Sequence, residues 1–91
     1  MHLLFFQNPA DMARVTFPDN LLIHTGGIRE AEVTAASYRD LIQALSERWP
    51  DLREPLMKSS VAIDGQIYQN AYLEPIGVDS DVFFMPRIEG G

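Results

Sequence analysis

The 91-residue chain contains no cysteine, so it forms neither disulfide bonds nor the catalytic and zinc sites that depend on thiolates. Cations are scarce as well, because seven lysines and arginines against thirteen aspartates and glutamates give a net charge of −6. Phosphate neutralisation dominates nucleic-acid affinity, so we expect neither a nucleic acid nor an anionic membrane as a partner, and a basic protein surface instead. The two histidines, His2 and His24, cannot form a metal site between them.

Long apolar runs are also lacking. The longest have four residues, Leu3–Phe6 among them, whereas a membrane-spanning helix needs roughly 20 and a signal-peptide core about 7–15. We therefore expect a cytoplasmic protein. The motifs G-x-S-x-G, G-x-x-x-x-G-K-S/T and H-E-x-x-H are absent, which favours a protein that is not an enzyme and binds no cofactor of its own.

The length of the chain predicts one domain. We assign this domain to residues 12–88, between an N-terminal extension, residues 1–11, and a flexible tail, residues 89–91. The extension ends in a turn-like stretch, Asn8–Asp11, and Met12 would itself be a reasonable start of a chain. Either the extension is loosely held or its Leu3–Phe6 adds an edge strand to the domain.

Alternating apolar residues predict the first two strands. Val15 and Phe17, followed by Leu21–Ile23, indicate a strand that is broken near Pro18–Asn20. Gly26–Gly27 predicts a hairpin turn, because glycine adopts positive φ without penalty. The returning strand would be Glu30–Val33.

A change of period predicts a helix next. Its apolar face repeats at intervals of three and four residues, with Thr34 as the N-cap and Pro50 as the stop. The residues on that face are Tyr38, Leu41, Ile42, Leu45 and Trp49.

Two further strands follow, joined at Asp64-Gly65, a favoured two-residue turn, so Asp64 is a turn residue rather than a catalytic acid. They contain Val61 and Ile63, then Gln66–Tyr68, and a last strand covers Val82–Ile88. The order predicts an α+β fold, a mixed sheet with one main helix packed across one face.

The last strand has two apolar faces. Period two places Val82, Phe84, Pro86 and Ile88 on the helix side, and Phe83, Met85 and Arg87 on the other side, where Ile67 joins them. A cluster of apolar residues on an exposed face usually marks a partner site. The alternative is that residues 1–11 fold over this face and bury it.

The chain ends in Gly90-Gly91. Glycine is costly to order, so two of them at a terminus predict a thin tail that can thread a narrow active site. The carboxylate of Gly91 could there attack the α-phosphate of ATP, and the resulting acyl-adenylate would be an activated acyl donor.

Residues 13–91 resemble the ubiquitin-like β-grasp sulfur carriers of the MoaD/ThiS family. Four segments carry the resemblance, namely Tyr38–Leu45 with Trp49–Leu52 after it, Val61–Gly65, Asp79–Pro86, and Gly90-Gly91. Two more, Leu22–Gly27 and Leu52–Met57, look most like the CysO branch, whose carriers deliver sulfur for cysteine synthesis.

The resemblance implies a mechanism and a set of partners. An activating enzyme of the MoeB/ThiF type would adenylate Gly91 with MgATP, and a persulfide or other sulfide source would displace AMP to give a thiocarboxylate. A pyridoxal-phosphate cysteine synthase would then accept the sulfur in the CysO-like pathway, and a metal-dependent peptidase would release cysteine. Molybdopterin or thiamin synthesis is the next expectation.

The resemblance also implies site residues. Gly91, with Gly90 beside it, would carry the chemistry, and Met85 and Ile67 match by position the family's docking patch for the activating enzyme. The alternation along the last strand adds Phe83 and Arg87 to the expected partner-binding residues. The alternative function is a protein modifier that is conjugated through Gly-Gly to lysines of other proteins. The chain has a single lysine, Lys58, which leaves little scope for chains of the modifier on itself.

Overall fold

The computed structural model describes residues 12–87, in which the chain forms five strands and three α-helices. The strands are β1 Ala13–Thr16, β2 Glu30–Val33, β3 Ser59–Ile63, β4 Gln66–Tyr68 and β5 Asp81–Pro86. The helices are α1 Leu22–Thr25, α2 Tyr38–Arg48 and α3 Arg53–Met57, and 3₁₀ turns at Asp19–Leu21 and Pro50–Leu52 precede α1 and α3. The predictions for residues 1–11 and 88–91 lie outside the described residues.

The strands form one mixed sheet in the order β2-β1-β5-β3-β4. β1 and β5 are parallel at its centre, and the other neighbouring pairs are antiparallel. The last strand of the chain therefore lies in the middle of the sheet. This arrangement confirms the predicted α+β architecture, a mixed sheet with one main helix across one face.

Helix α2 buries the predicted face, with Leu41 and Leu45 almost inaccessible to solvent. Its N-cap is Ser37, whose Oγ accepts a hydrogen bond from the backbone N of Asp40 at 3.1 Å. The prediction of Thr34 as the cap was wrong by one turn. The helix ends at Arg48, before Pro50, as predicted.

The prediction of a strand at Leu21–Ile23 was also wrong, because these residues form helical turns. Leu21 is buried in the core, while the side chain of Ile23 is 83% exposed. Gly26, with φ of 68°, ends α1 in the left-handed conformation. The positive φ expected at this glycine is present, but it terminates a helix rather than forming a two-residue hairpin turn.

The hairpin of β3 and β4 is confirmed. Asp64 and Gly65 have φ values of 50° and 87°, as a turn with two positive-φ residues requires. Strand β5 spans Asp81–Pro86 rather than Val82–Ile88, and Pro86, expected on the buried side, is exposed.

The core lies between α2 and the sheet. Phe17 stacks on Phe84 with ring centroids 6.2 Å apart and meets the edge of Trp49 at 5.8 Å. The other buried apolar residues are Ala13, Val15, Leu21, Ala31, Val33, Tyr38, Leu41, Ile42, Leu45, Leu52, Leu56, Val61, Ile63, Ala71, Ile76 and Val82. Between Met12 and Arg87, no helix is both long and apolar enough to cross a bilayer.

Candidate functional site

The face of the sheet turned away from α2, which we call the outer face, carries the alternate residues of every strand. Its position follows from the burial pattern of β5, in which Val82 and Phe84 are buried under the helix while Phe83 is 48% exposed. Within the described range, α2 and the core occupy the opposite face. The outer face is therefore the surface of the sheet that a partner can reach.

One row of residues crosses the outer face through all five strands. Ala62 of β3 lies opposite both Ile67 of β4 and Phe83 of β5. Phe83 lies in turn beside Thr16 of β1, which pairs with Glu30 of β2. The row is thus apolar over β4, β3 and β5 and becomes polar over β1 and β2.

The apolar part of this row has two large exposed side chains with a small one between them. Ile67 is 63% exposed, and it is separated from Phe83 by one strand, so their Cα atoms are about 10 Å apart. The small side chain of Ala62 lies between them. Met85, two residues after Phe83, is half-buried opposite Ser60. We call Ile67, Ala62, Phe83 and Met85 the apolar patch.

Carboxylates surround the other end of the outer face. The Nε of Arg14 donates to Asp81 Oδ1 at 3.0 Å, and its Nη1 is 3.7 Å from Asp79. The hydrogen bond to Asp81 and then the nearby negative charges raise the pKa of Arg14. Glu30 and Glu32 of β2 add two further exposed carboxylates. This end is consequently acidic, as a surface for a basic partner would be.

Arg87 lies outside the apolar patch. The predicted alternation places it with Phe83 and Met85, but β5 ends at Pro86. The guanidinium donates from Nη2 to the carbonyl of Gln69 at 2.7 Å and lies near the buried Tyr38. Its Nε is buried and has no hydrogen-bond partner among residues 12–87. Arg87 therefore contacts a different part of the molecule, and its role in partner binding stays a prediction.

The structure brings three of the predicted partner-binding residues together, namely Met85, Ile67 and Phe83. The expected reactive residues, Gly90 and Gly91, lie outside the described residues. Because β5 ends at Pro86, the strand that carries Phe83 and Met85 also leads directly into the C-terminal segment.

Sequence reasoning missed Ala62 and the acidic end. The alternation of Val61, Ala62 and Ile63 places Ala62 on the outer face, but only the strand register shows that it lies between Ile67 and Phe83. No group of three or more potential metal ligands occurs in the part of the chain that the structure describes.

These features define a class of protein: a small β-grasp domain whose apolar patch is exposed within residues 12–87 and includes two residues of the strand that leads to the C-terminal segment. The fold is similar to those of several solved structures, three of which follow. The chain matches a CysO chain from the Amycolatopsis orientalis BexX/CysO complex with a TM-score of 0.76 and 19% identity, covering 87% of this chain and 99% of the other.

The chain also matches SAMP1 from Haloferax volcanii, with a TM-score of 0.71 and 19% identity over 88% of this chain and 99% of the other. The third is a chain of the Helicobacter pylori complex of subunits 1 and 2 of molybdopterin-converting factor. Its TM-score is 0.61 and its identity 19%, and the match covers 88% of this chain and 99% of the other. No protein-family profile and no curated protein sequence match the chain. The structural likeness confirms the predicted ubiquitin-like β-grasp fold.

Proposed function

We propose that this protein is a sulfur carrier whose C-terminal carboxylate, on Gly91, is converted to a thiocarboxylate. The observation that carries the proposal is the position of the apolar patch: Phe83 and Met85 lie on β5, and the same strand leads to Gly90-Gly91. An enzyme that binds the patch can therefore receive the tail in its active site. The shared fold with CysO and with the molybdopterin-converting-factor chain supports this assignment.

The chemistry proceeds in two displacements. A carboxylate oxygen of Gly91 attacks the α-phosphate of MgATP, and pyrophosphate leaves. Sulfide then attacks the acyl carbon of the adenylate, AMP leaves with the bonding electrons, and the thiocarboxylate remains. The activating enzyme supplies the catalytic groups, so the carrier is a co-substrate rather than an enzyme.

We favour cysteine synthesis as the destination of the sulfur, with molybdopterin or thiamin synthesis next. The partners in the cysteine pathway would be a MoeB/ThiF-type activating enzyme, a pyridoxal-phosphate cysteine synthase and a metal-dependent peptidase. The partner-binding residues would be Met85, Ile67 and Phe83 on the patch, together with Arg87 at the base of the tail. We propose that these reactions take place in the cytoplasm.

A protein modifier is the second candidate, because SAMP1 of Haloferax volcanii, a small archaeal modifier protein, has a similar fold. In this alternative Gly91 forms amide bonds with lysines of other proteins. The chain has a single lysine, Lys58, which leaves one lysine side chain for self-conjugation.

Intact-mass analysis distinguishes the two functions. The protein with its natural C-terminus is incubated with a lysate of the organism that encodes it, MgATP and sulfide. We expect a mass increase equal to the replacement of one oxygen by sulfur, and no increase without ATP or after deletion of Gly91. Covalent ladders on other proteins without the mass increase would establish the modifier, and neither product would refute both functions.

A further inference from the structure

The apolar patch is uncovered in residues 12–87, although the chain contains a second apolar segment that is outside them. Ile67 and Phe83 are 63% and 48% exposed. We propose that Leu3–Phe6 of the N-terminal extension binds the apolar patch, so that the free protein covers the surface its partners use. The binding itself is independent of the proposed function, whereas its regulatory meaning rests on that function.

The composition of the extension supports this occupant. Leu3–Phe6 is one of two four-residue apolar runs in the chain, and the other, Val82–Met85, is in β5. Leaving a large apolar side chain in water rather than burying it costs about 1.5–3 kcal/mol. The core beneath α2 is already filled by residues between Ala13 and Phe84. Among the exposed large apolar residues between residues 12 and 87, Ile67 and Phe83 are the two that lie in strands and share one face of the sheet, so this face offers the segment a clustered apolar surface.

The length of chain is sufficient. Phe83 lies opposite Thr16, on the strand next to β1. Thr16 is three residues beyond Ala13, so the patch begins roughly 11 Å from the start of β1. Residues 7–12 can extend to about 20 Å, which also reaches Ile67 two strands further.

The direction of entry agrees with this path. Met12 and Phe83 line the same depression, whose other walls include Arg14 and Thr16 and the carboxylates of Glu30, Glu32 and Asp81. The chain thus enters β1 beside the patch.

The outer edge of β2, which no strand of residues 12–87 covers, is a less favourable position for the segment. The outward side chains of this strand are Glu30 and Glu32. A strand added there would place half of Leu3–Phe6 beside carboxylates instead of apolar groups. On the apolar patch, the same side chains would contact Ile67 and Phe83. The chemistry of the two surfaces favours the patch.

The consequence for the proposed function is competition. A partner that binds the apolar patch must first displace the extension, so the extension lowers the affinity of every such partner by the same factor. Removal of the extension would increase partner affinity without a change in the reactive tail.

A spin label provides a direct test. The chain has no cysteine, so Gln7→Cys gives a single attachment site in the full-length protein. We expect amide signals of Ala62, Ile67 and Phe83 to lose intensity relative to the reduced, diamagnetic label. Signals of Leu41 and Ile42, under the opposite face, should keep theirs.

Two double variants of the labelled protein test the cause. Leu3→Asp with Phe5→Asp should abolish the losses, while Asn8→Asp with Ala10→Asp adds the same charge without removing apolar groups and should preserve them. Losses centred on Glu30–Val33 would place the segment at the β2 edge and overturn the proposal. Uniform losses, or none, would also overturn it. Since no enzyme is present, these results are independent of whether Gly91 accepts sulfur.

Discussion

Asp64 and Asp81 are joined by a reciprocal pair of hydrogen bonds. The backbone N of Asp64 donates to the carbonyl of Asp81 at 2.9 Å, and the backbone N of Asp81 donates to Asp64 Oδ1, also at 2.9 Å. The other carboxylate oxygen of Asp64 accepts from the hydroxyl of the buried Ser80 at 2.9 Å. The turn between β3 and β4 is thereby fastened to the start of the central strand β5.

Replacing Asp64 with alanine should therefore destabilise the fold by about 1–2 kcal/mol, through loss of two hydrogen bonds and strain at positive φ. Asp64→Asn is the matched control, because asparagine tolerates this conformation and keeps an acceptor for Asp81 N. Asp64→Asn should lower the free energy of unfolding by less than Asp64→Ala does. Urea unfolding measures both, and equal losses would show that the hydrogen bonds contribute little.

The phase of α2 gives a second prediction. Leu45 is 1% exposed, and Leu45→Ala should cost about 2–5 kcal/mol, a large part of the roughly 5–9 kcal/mol expected for a domain of this size. Gln43 lies on the exposed face. Within residues 12–87, its side chain makes one hydrogen bond, from Nε2 to Glu47 Oε2. Gln43→Ala should change the free energy of unfolding by no more than about 0.5 kcal/mol. Similar effects in denaturant titrations would contradict the observed orientation of the helix.

The buried phenol of Tyr38 makes stability depend on alkaline pH. Burial raises the pKa of Tyr38, against a smaller lowering by the charge of Arg87. The unfolded phenol has a pKa of about 10, so the folded state holds the proton more tightly. This stabilisation is complete below about pH 10 and decreases above it, by at most about 1.4 kcal/mol per pH unit.

Unfolding free energies measured across that range should fall less steeply for Tyr38→Phe than for the unmodified protein. Tyr68→Phe is the control, because Tyr68 is less buried, although desolvation and then the charge of Glu74 raise its pKa too. The control should change the slope less than Tyr38→Phe does. If Tyr38→Phe does not change the slope of the unfolding free energy against pH, the loss of stability above pH 10 would come from another titrating group.

In the proposed carrier chemistry, Gly91 reacts, whereas Met85 only binds the activating enzyme. Deletion of Gly91 should reduce ATP–pyrophosphate exchange by the activating enzyme at least about 100-fold at every enzyme concentration, because the shortened tail misplaces the carboxylate. Met85→Asp should instead weaken binding, since desolvating a carboxylate in an apolar contact is costly, and activity should return as the enzyme approaches saturation.

The control for Met85→Asp is Met57→Asp on α3, because Met57 is 46% exposed away from the outer face. It should exchange normally. Normal exchange after deletion of Gly91 would refute the carrier mechanism, and an unaffected Met85→Asp would place the partner-binding surface elsewhere.

The extension should be dispensable for folding. The buried core identified between residues 12 and 87 runs from Ala13 to Phe84. Deletion of residues 1–11 should therefore lower the thermal midpoint by no more than about 10 °C, given that about 1 kcal/mol corresponds to 4–8 °C in a domain of this size. A loss of several times that amount in a calorimetric scan would make Leu3–Phe6 an integral strand.

Local patterns were sufficient to predict β2, α2 and the β3–β4 hairpin. In each of these elements the apolar period and the turn or stop residues indicate the same structure. Leu21–Ile23 offered no such agreement, because a short, uninterrupted apolar run fits a strand or a buried helix equally well. Thr34 and Ser37 are both good caps, and only the hydrogen bond to Asp40 identifies the one that is used.

The candidate site shows the same division. Alternation along β5 was enough to predict that Phe83 is exposed. The position of Ala62 between Ile67 and Phe83 depends instead on the strand register, which the whole sheet determines. Alternation also failed at Arg87, because the strand ends one residue earlier and the guanidinium finds the carbonyl of Gln69.

The central position of β5 has a consequence for synthesis on the ribosome. The β1–β2 and β3–β4 pairs emerge first, and no strand yet joins them. The sheet can close only when Asp81–Pro86 has left the exit tunnel and paired with β1 and β3. A chain whose translation stops before Asp81 therefore has two separate strand pairs, which are marginally stable in isolation and open to proteases. Only molecules that have been translated through β5 can therefore complete the sheet.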